Sequence, residues 1–150
     1  MNQKGYSLLE VILVILLSSI IGSSIVVTTK FVEEVRFKTL VSEVEAGIRQ
    51  AQRYAVATGE QYDVQCQEKK IIVKASDKSC IHEIKIDSQI IVALKDEKGK
   101  EMTGKRLGFH ASMAPLKAGT IVLVDHQIKQ KALITVRVAT GKTTVYFEAI

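Results

Sequence analysis

The sequence predicts an α+β fold: a long N-terminal helix, membrane-spanning in its first half and amphipathic in its second, packed on a C-terminal antiparallel β domain. Three observations predict it. Residues 11–29 carry no charge, and from Leu8 onward the side chains are almost all apolar or small. Residues 30–58 then bring apolar side chains back at three- and four-residue spacing, the period of a helix with one buried face. After Gly59 the apolar period falls to two, the period of a strand.

The first element is a short polar leader, residues 1–5, which contains Lys4 and ends in Gly5. Residues 6–29 read as a membrane helix, because an apolar run of about 20 residues spans a hydrocarbon core of about 30 Å. Gly22, Ser23 and Ser24 are its weakest part, since both residue types lower helix propensity. One carboxylate, Glu10, sits near its start. A charge in lipid needs a partner. The next basic residue along the chain is Lys30, roughly 30 Å further on a helix. A chain cut after Gly5 would instead place the new amine of Tyr6 about one helical turn from Glu10.

Residues 30–59 continue as an amphipathic helix. Phe31, Val35, Phe37, Leu40, Val41, Val44, Ile48, Ala51 and Ala55 supply the apolar stripe, and Glu45 and Arg49 stand at i,i+4 on the polar side. No proline interrupts residues 6–58, and Gly59 is a natural stop. One helix over 6–58 would be about 80 Å long; two helices broken near 22–30 are the alternative.

Residues 60–150 form the β-rich domain. Tyr62, Val64 and Cys66 alternate with polar residues, and residues 70–74 follow as a second strand. Ile81, Ile84 and Ile86, then residues 90–94, mark two more. Residues 96–100 are a charged turn or loop, 107–109 a short strand and 111–119 a loop. Strands over 120–125, 131–139 and 143–148 close the chain, with Thr140, Gly141 and Lys142 turning the last two into a hairpin.

Lys4-Gly5-Tyr6-Ser7-Leu8-Leu9-Glu10 followed by an apolar run resembles the signal of type IV pilins and type II secretion pseudopilins, with Tyr6 where Phe is commoner. The resemblance implies a type IV pilin-like fold and cleavage by a prepilin peptidase between Gly5 and Tyr6. It further implies methylation of the Tyr6 amine and a role for Glu10 in neutralising the N-terminus of a neighbouring subunit. Many pilins carry a proline late in the helix; this chain has none there, so local melting in a filament would fall at residues 22–24.

A looser similarity extends over residues 40–148. The helix end at residues 49–60, the Gly119-Thr120-Ile121-Val122-Leu123 strand and residues 134–142 resemble H-type minor pseudopilins, FimT-like minor pilins and the competence D-type minor pilin. The implied role is a minor pilin or pseudopilin at or near the tip of a type IV pilus, competence pilus or type II secretion pseudopilus. Its partners would be the prepilin peptidase, other pilins of the same filament and an inner-membrane assembly platform. It would be made as a single-pass inner-membrane protein with an outward-facing C-terminal domain, then move into the extracytoplasmic filament.

The cysteines, Cys66 and Cys80, flank a strand and the turn at residues 76–79. In an exported domain they would form a disulfide closing a loop of about 15 residues and stabilising by about 3 kcal/mol; two reduced thiols are the alternative. There is no Cys-x-x-Cys, His82, His110 and His126 are isolated, and no nucleophile, base and acid fall into a catalytic set. No cofactor, metal or enzymatic activity is expected. Net charge is +5, a mild surplus that permits contact with DNA or anionic envelope polymers without demanding it. Some FimT-like pilins bind DNA, so the candidate DNA or partner contacts are Lys98, Lys100, Lys105, Arg106, Lys129, Lys131, Arg137 and Lys142. The chain lacks the Arg-rich tail of those binders and ends Val-Tyr-Phe-Glu-Ala-Ile. A DNA-binding minor pilin and a single-pass envelope protein without a filament role remain the two alternatives.

Overall fold

The computed structural model describes residues 7–77, 79–102, 104, 106–112, 115–117, 119–137 and 140–150, with the backbone alone over 22–29. One helix, α1, runs from Leu8 to Thr58 without a break, through the Gly22 to Ser24 stretch included. Eight strands follow: β1 Tyr62–Cys66, β2 Lys70–Ala75, β3 Cys80–Lys85, β4 Ile90–Lys95, β5 Arg106–Phe109, β6 Gly119–Asp125, β7 Gln130–Val136 and β8 Thr143–Ala149. By internal contacts the chain divides into two compact units, Met1–Arg36 and Phe37–Ile150.

In the first unit the described side chains are exposed almost throughout, from Leu8 at 79% to Phe31 at 64%. Phe31 and Val35, expected on the packed stripe, are therefore not part of it.

In the second unit the stripe begins at Phe37. Phe37, Val41, Val44, Ile48, Ala51 and Ala55 alternate steps of four and three residues, and each is almost fully buried. Opposite, Arg49 donates to Glu45 at 2.6 Å. The helix stops at Gly59, whose φ of 74° suits a residue without Cβ and whose N–H reaches the Ala55 carbonyl at 3.0 Å.

The strands make two antiparallel four-stranded sheets, ordered β3-β2-β1-β5 and β4-β6-β7-β8. Alternation decides which side chains face in. Tyr62, Val64 and Cys66 on β1, Val92 and Leu94 on β4, Ile121 and Leu123 on β6, and Ala132, Ile134 and Val136 on β7 join the helix stripe in one core. Gly47 lies where the helix meets the first sheet: a Cβ there would stand 3.2 Å from Ile84 Cδ1.

Two turns explain the last hairpins. The buried Asp125 carboxylate accepts from the Gln127 N–H at 2.9 Å and folds β6 onto β7, with Lys129 at φ 54°. Gly141, at φ 63°, donates its N–H to the Arg137 carbonyl at 2.8 Å and turns β7 into β8. β7 ends at Val136, short of the expected residue 139; Val138 and Ala139 lie outside the described residues.

The expected Cys66–Cys80 disulfide is not formed. Register is the reason. Cys66 ends β1 opposite Ile71, while Cys80 opens β3 opposite Lys74. The two stand two strands apart, about 9.6 Å, and about 10 Å apart along β2. A disulfide needs Cα atoms within about 7 Å. Cys66 also faces the core, whereas Cys80 is exposed.

Candidate functional site

The chain start holds the sharpest sequence signal. The leader, with Gly5 and Tyr6, lies outside the described residues. Ser7 opens the helix: its carbonyl accepts the Glu10 N–H at 2.9 Å and the Val11 N–H at 3.3 Å. Glu10 thus stands in the first turn, where the helix dipole favours a carboxylate. It is exposed, and the next described basic side chain is Lys30, roughly 30 Å away along the axis. The described side chains around and after it, residues 7–21, include exposed Leu9, Ile12, Val14, Leu16 and Ile20. A helix that is apolar all round belongs in lipid or among other helices. Among the described residues no helix is long and apolar enough to cross a membrane. The side chains of 22–29, which the expected span over 6–29 needs, are not among them.

The seven described candidate contacts on the β domain do not form one patch. Lys129 and Lys131 lie where β6 turns into β7, and Lys131 is taken up by Glu148 at 2.7 Å. Arg137 and Lys142 lie at the other end of β7, roughly 20 Å away. Lys98 and Lys100 follow β4 at that same end, since Lys95 pairs with Thr120 and Gly119 with Val136. Asp96 folds this loop by accepting the Lys98 and Lys100 N–H groups, each at 2.9 Å, so acid and base are interleaved. Arg106 belongs to the other sheet, 3.9 Å from the Asp63 carboxylate. Lys105 lies outside the described residues.

The histidines stay apart. His82 is 3.9 Å from Glu43, and His110 and His126 are exposed. Among the described residues no three His, Cys, Asp or Glu side chains gather as a metal site would require. Asp125 beside His126 serves the hairpin backbone instead.

Sequence reasoning passed over Gln52 and Asp63. Gln52, a buried polar residue on the helix, donates to the Gly141 carbonyl at 2.7 Å and ties the helix to the last turn. Its signal was weak: a Gln one residue after the buried Ala51 reads as surface.

A family model described as the prokaryotic N-terminal methylation motif matches residues 1–26. No curated protein matches the chain. Among solved structures, two crystal forms of the type IV minor pilin FimU from Pseudomonas aeruginosa PAO1 share its fold. The P65 form has a TM-score of 0.56 at 12% identity, over 73% of this chain and 91% of that one. The P21 form has a TM-score of 0.58 at 12% identity, over 77% and 92%. The chain thus carries the methylation motif at its start and shares the fold of a type IV minor pilin.

Proposed function

We propose that the chain is a minor pilin or pseudopilin, a structural subunit assembled at or near the tip of a short type IV filament. The observation that carries this reading is the methylation motif on a helix that is apolar on every described face for its first two turns beyond Glu10. A prepilin peptidase cuts between Gly5 and Tyr6 and methylates the Tyr6 amine. Residues 6–29 then anchor the chain in the inner membrane with the β domain outward. On assembly, partner helices replace lipid, and Glu10 meets the N-terminal amine of a neighbouring subunit. An uncompensated carboxylate in an apolar surrounding is costly, so this pairing also sets the register of the helices.

The test is mass spectrometry of the N-terminal peptide from native membranes. A chain that starts at Tyr6 with one added methyl supports the filament pathway. A chain that starts at Met1, or beyond Ser18, removes it and returns the protein to an anchored β domain.

A DNA-binding role in natural competence is the second reading. It is favoured by Lys98, Lys100, Arg137 and Lys142 coming to the same end of the second sheet. Its test is a gel shift with the full chain in detergent across a salt series. Phosphate contacts predict a linear fall of log affinity with log salt; no shift at low salt refutes it.

A further inference from the structure

The outward face of the first sheet carries a cavity of about 330 Å³, lined by Gln61, Asp63, Gln65, Lys74, Ser76 and Arg106 with the Ala75 methyl. The sheet register builds it. Asp63 lies on the middle strand, opposite Lys74 of β2 on one side and Gly108 of β5 on the other. Gln65 lies one step on, opposite Arg106.

Gly108 makes room for the Asp63 carboxylate at the cavity's side. A Cβ at this position would stand 2.8 Å from Asp63 Oδ1, 2.9 Å from Leu116 Cδ1 and 3.2 Å from Gln61 Nε2. Any side chain there would displace the carboxylate. Without one, Asp63 lies against the backbone of β5, and its side chain is only 19% exposed although it faces outward.

Its polar groups are unevenly satisfied. Gln61 Nε2 donates to Asp63 Oδ1 at 3.0 Å. Arg106 Nη1 stays 3.9 Å from Oδ2, well beyond the roughly 2.8 Å of a charge-assisted hydrogen bond. The gap leaves Oδ2 able to accept a ligand donor and the guanidinium able to donate to a ligand acceptor.

The charge pattern selects the ligand. A carboxylate sits at the centre with a cation on either side. A simple anion would meet Asp63; a simple cation would meet both Lys74 and Arg106. Hydroxyl groups suit both, since each donates inward to the carboxylate and accepts from the flanking ammonium, guanidinium and amides. The volume falls at the small end of ligand pockets, about 300–1,000 Å³. We propose that this face binds a neutral, polyhydroxylated ligand: a sugar unit of a carbohydrate. The proposal stands apart from the filament reading.

The experiment is saturation-transfer NMR on the full chain in a detergent without a sugar headgroup. The probes are cellotetraose and chitotetraose, with inorganic phosphate and glycine as the anionic and zwitterionic comparisons. Transfer to at least one glycan is expected, and none to phosphate or glycine. Asp63→Asn should weaken glycan binding roughly tenfold or more, the loss of one charge-assisted bond, with the melting temperature unchanged. If Asp63→Asn fails to fold, Arg106→Gln, at an exposed side chain, should weaken binding in the same direction. No transfer to either glycan, transfer to phosphate or glycine alone, or undiminished glycan binding in the folded variants would each overturn the proposal.

Discussion

Gly119 faces Leu107 so closely that a Cβ on the glycine would stand 2.6 Å from Leu107 Cδ2. The two residues belong to different sheets, Gly119 opening β6 and Leu107 sitting within β5. Leu107 is almost fully buried, and Met102 Sδ and Leu94 Cδ1 close the space at 3.4 and 3.5 Å. The glycine is there for room, since its φ is not among the positive ones. Gly119→Ala should therefore destabilise the β domain by about 1–3 kcal/mol, as overpacking does. Urea unfolding checks it. Combined with Leu107→Ala, the loss should be smaller than the sum of the two single losses, because the second change vacates the space the first needs.

The pairing proposed for Glu10 bears on assembly rather than insertion. Glu10→Ala should leave the protein in the membrane fraction, because removing a charge only eases transfer into lipid. The same variant should be lost from purified filaments. Normal incorporation, seen by immunoblot of sheared filaments, would contradict the assigned role.

Asp77 gives the β domain a weak acid dependence. Its carboxylate accepts the Ser79 hydroxyl at 2.7 Å and the Ser79 N–H at 2.9 Å. These bonds, the hydroxyl first, hold its pKa below the ordinary 3.8. A depressed folded-state value stabilises the fold above 3.8, and the contribution disappears as pH falls through the folded value. Carbon-detected NMR titration should find Asp77 below 3.8, and Ser79→Ala should move it back up. An unmoved value in the variant would show that the hydroxyl is not the cause.

The two thiols should behave differently. Cys80 should take up one maleimide in the native protein, while buried Cys66 should react only after denaturation. Mass spectrometry under non-reducing conditions should show neither joined to the other. A linked Cys66–Cys80 peptide would mean that β1 to β3 pair in another register.

Much of this was legible from the sequence, for identifiable reasons. The motif from Lys4 to Glu10 is a string of chemically specific residues, and the buried steps from Phe37 to Ala55 repeat a period that only a helix satisfies. Gly59 could be placed because the apolar period changes there from helix to strand, and Gly141 because it separates two strand-like runs. What stayed hidden depends on register. Sequence spacing brings Cys66 and Cys80 within loop-closing reach, but antiparallel pairing sends them to opposite ends of β2. Gly108 and Gly119 read as loop or strand-weakening residues, whereas packing shows each making space for a named neighbour. Asp63 read as the polar half of an alternating strand, and only its cross-strand neighbours reveal the cavity.

The strand order has a consequence for how the domain is made. After β3 the chain leaves the first sheet to lay down β4 in the second, returns for β5, and leaves again for β6. The hairpins β1-β2-β3 and β6-β7-β8 close short loops and can form early. The pairings β1–β5 and β4–β6 join residues far apart in sequence and are completed late. The second sheet's first strand is therefore made before the first sheet's last one. The first sheet has all its strands once β5 is made, whereas β4 has no partner until β6 follows, so a chain truncated before β6 holds one complete sheet and a single unpaired strand of the other.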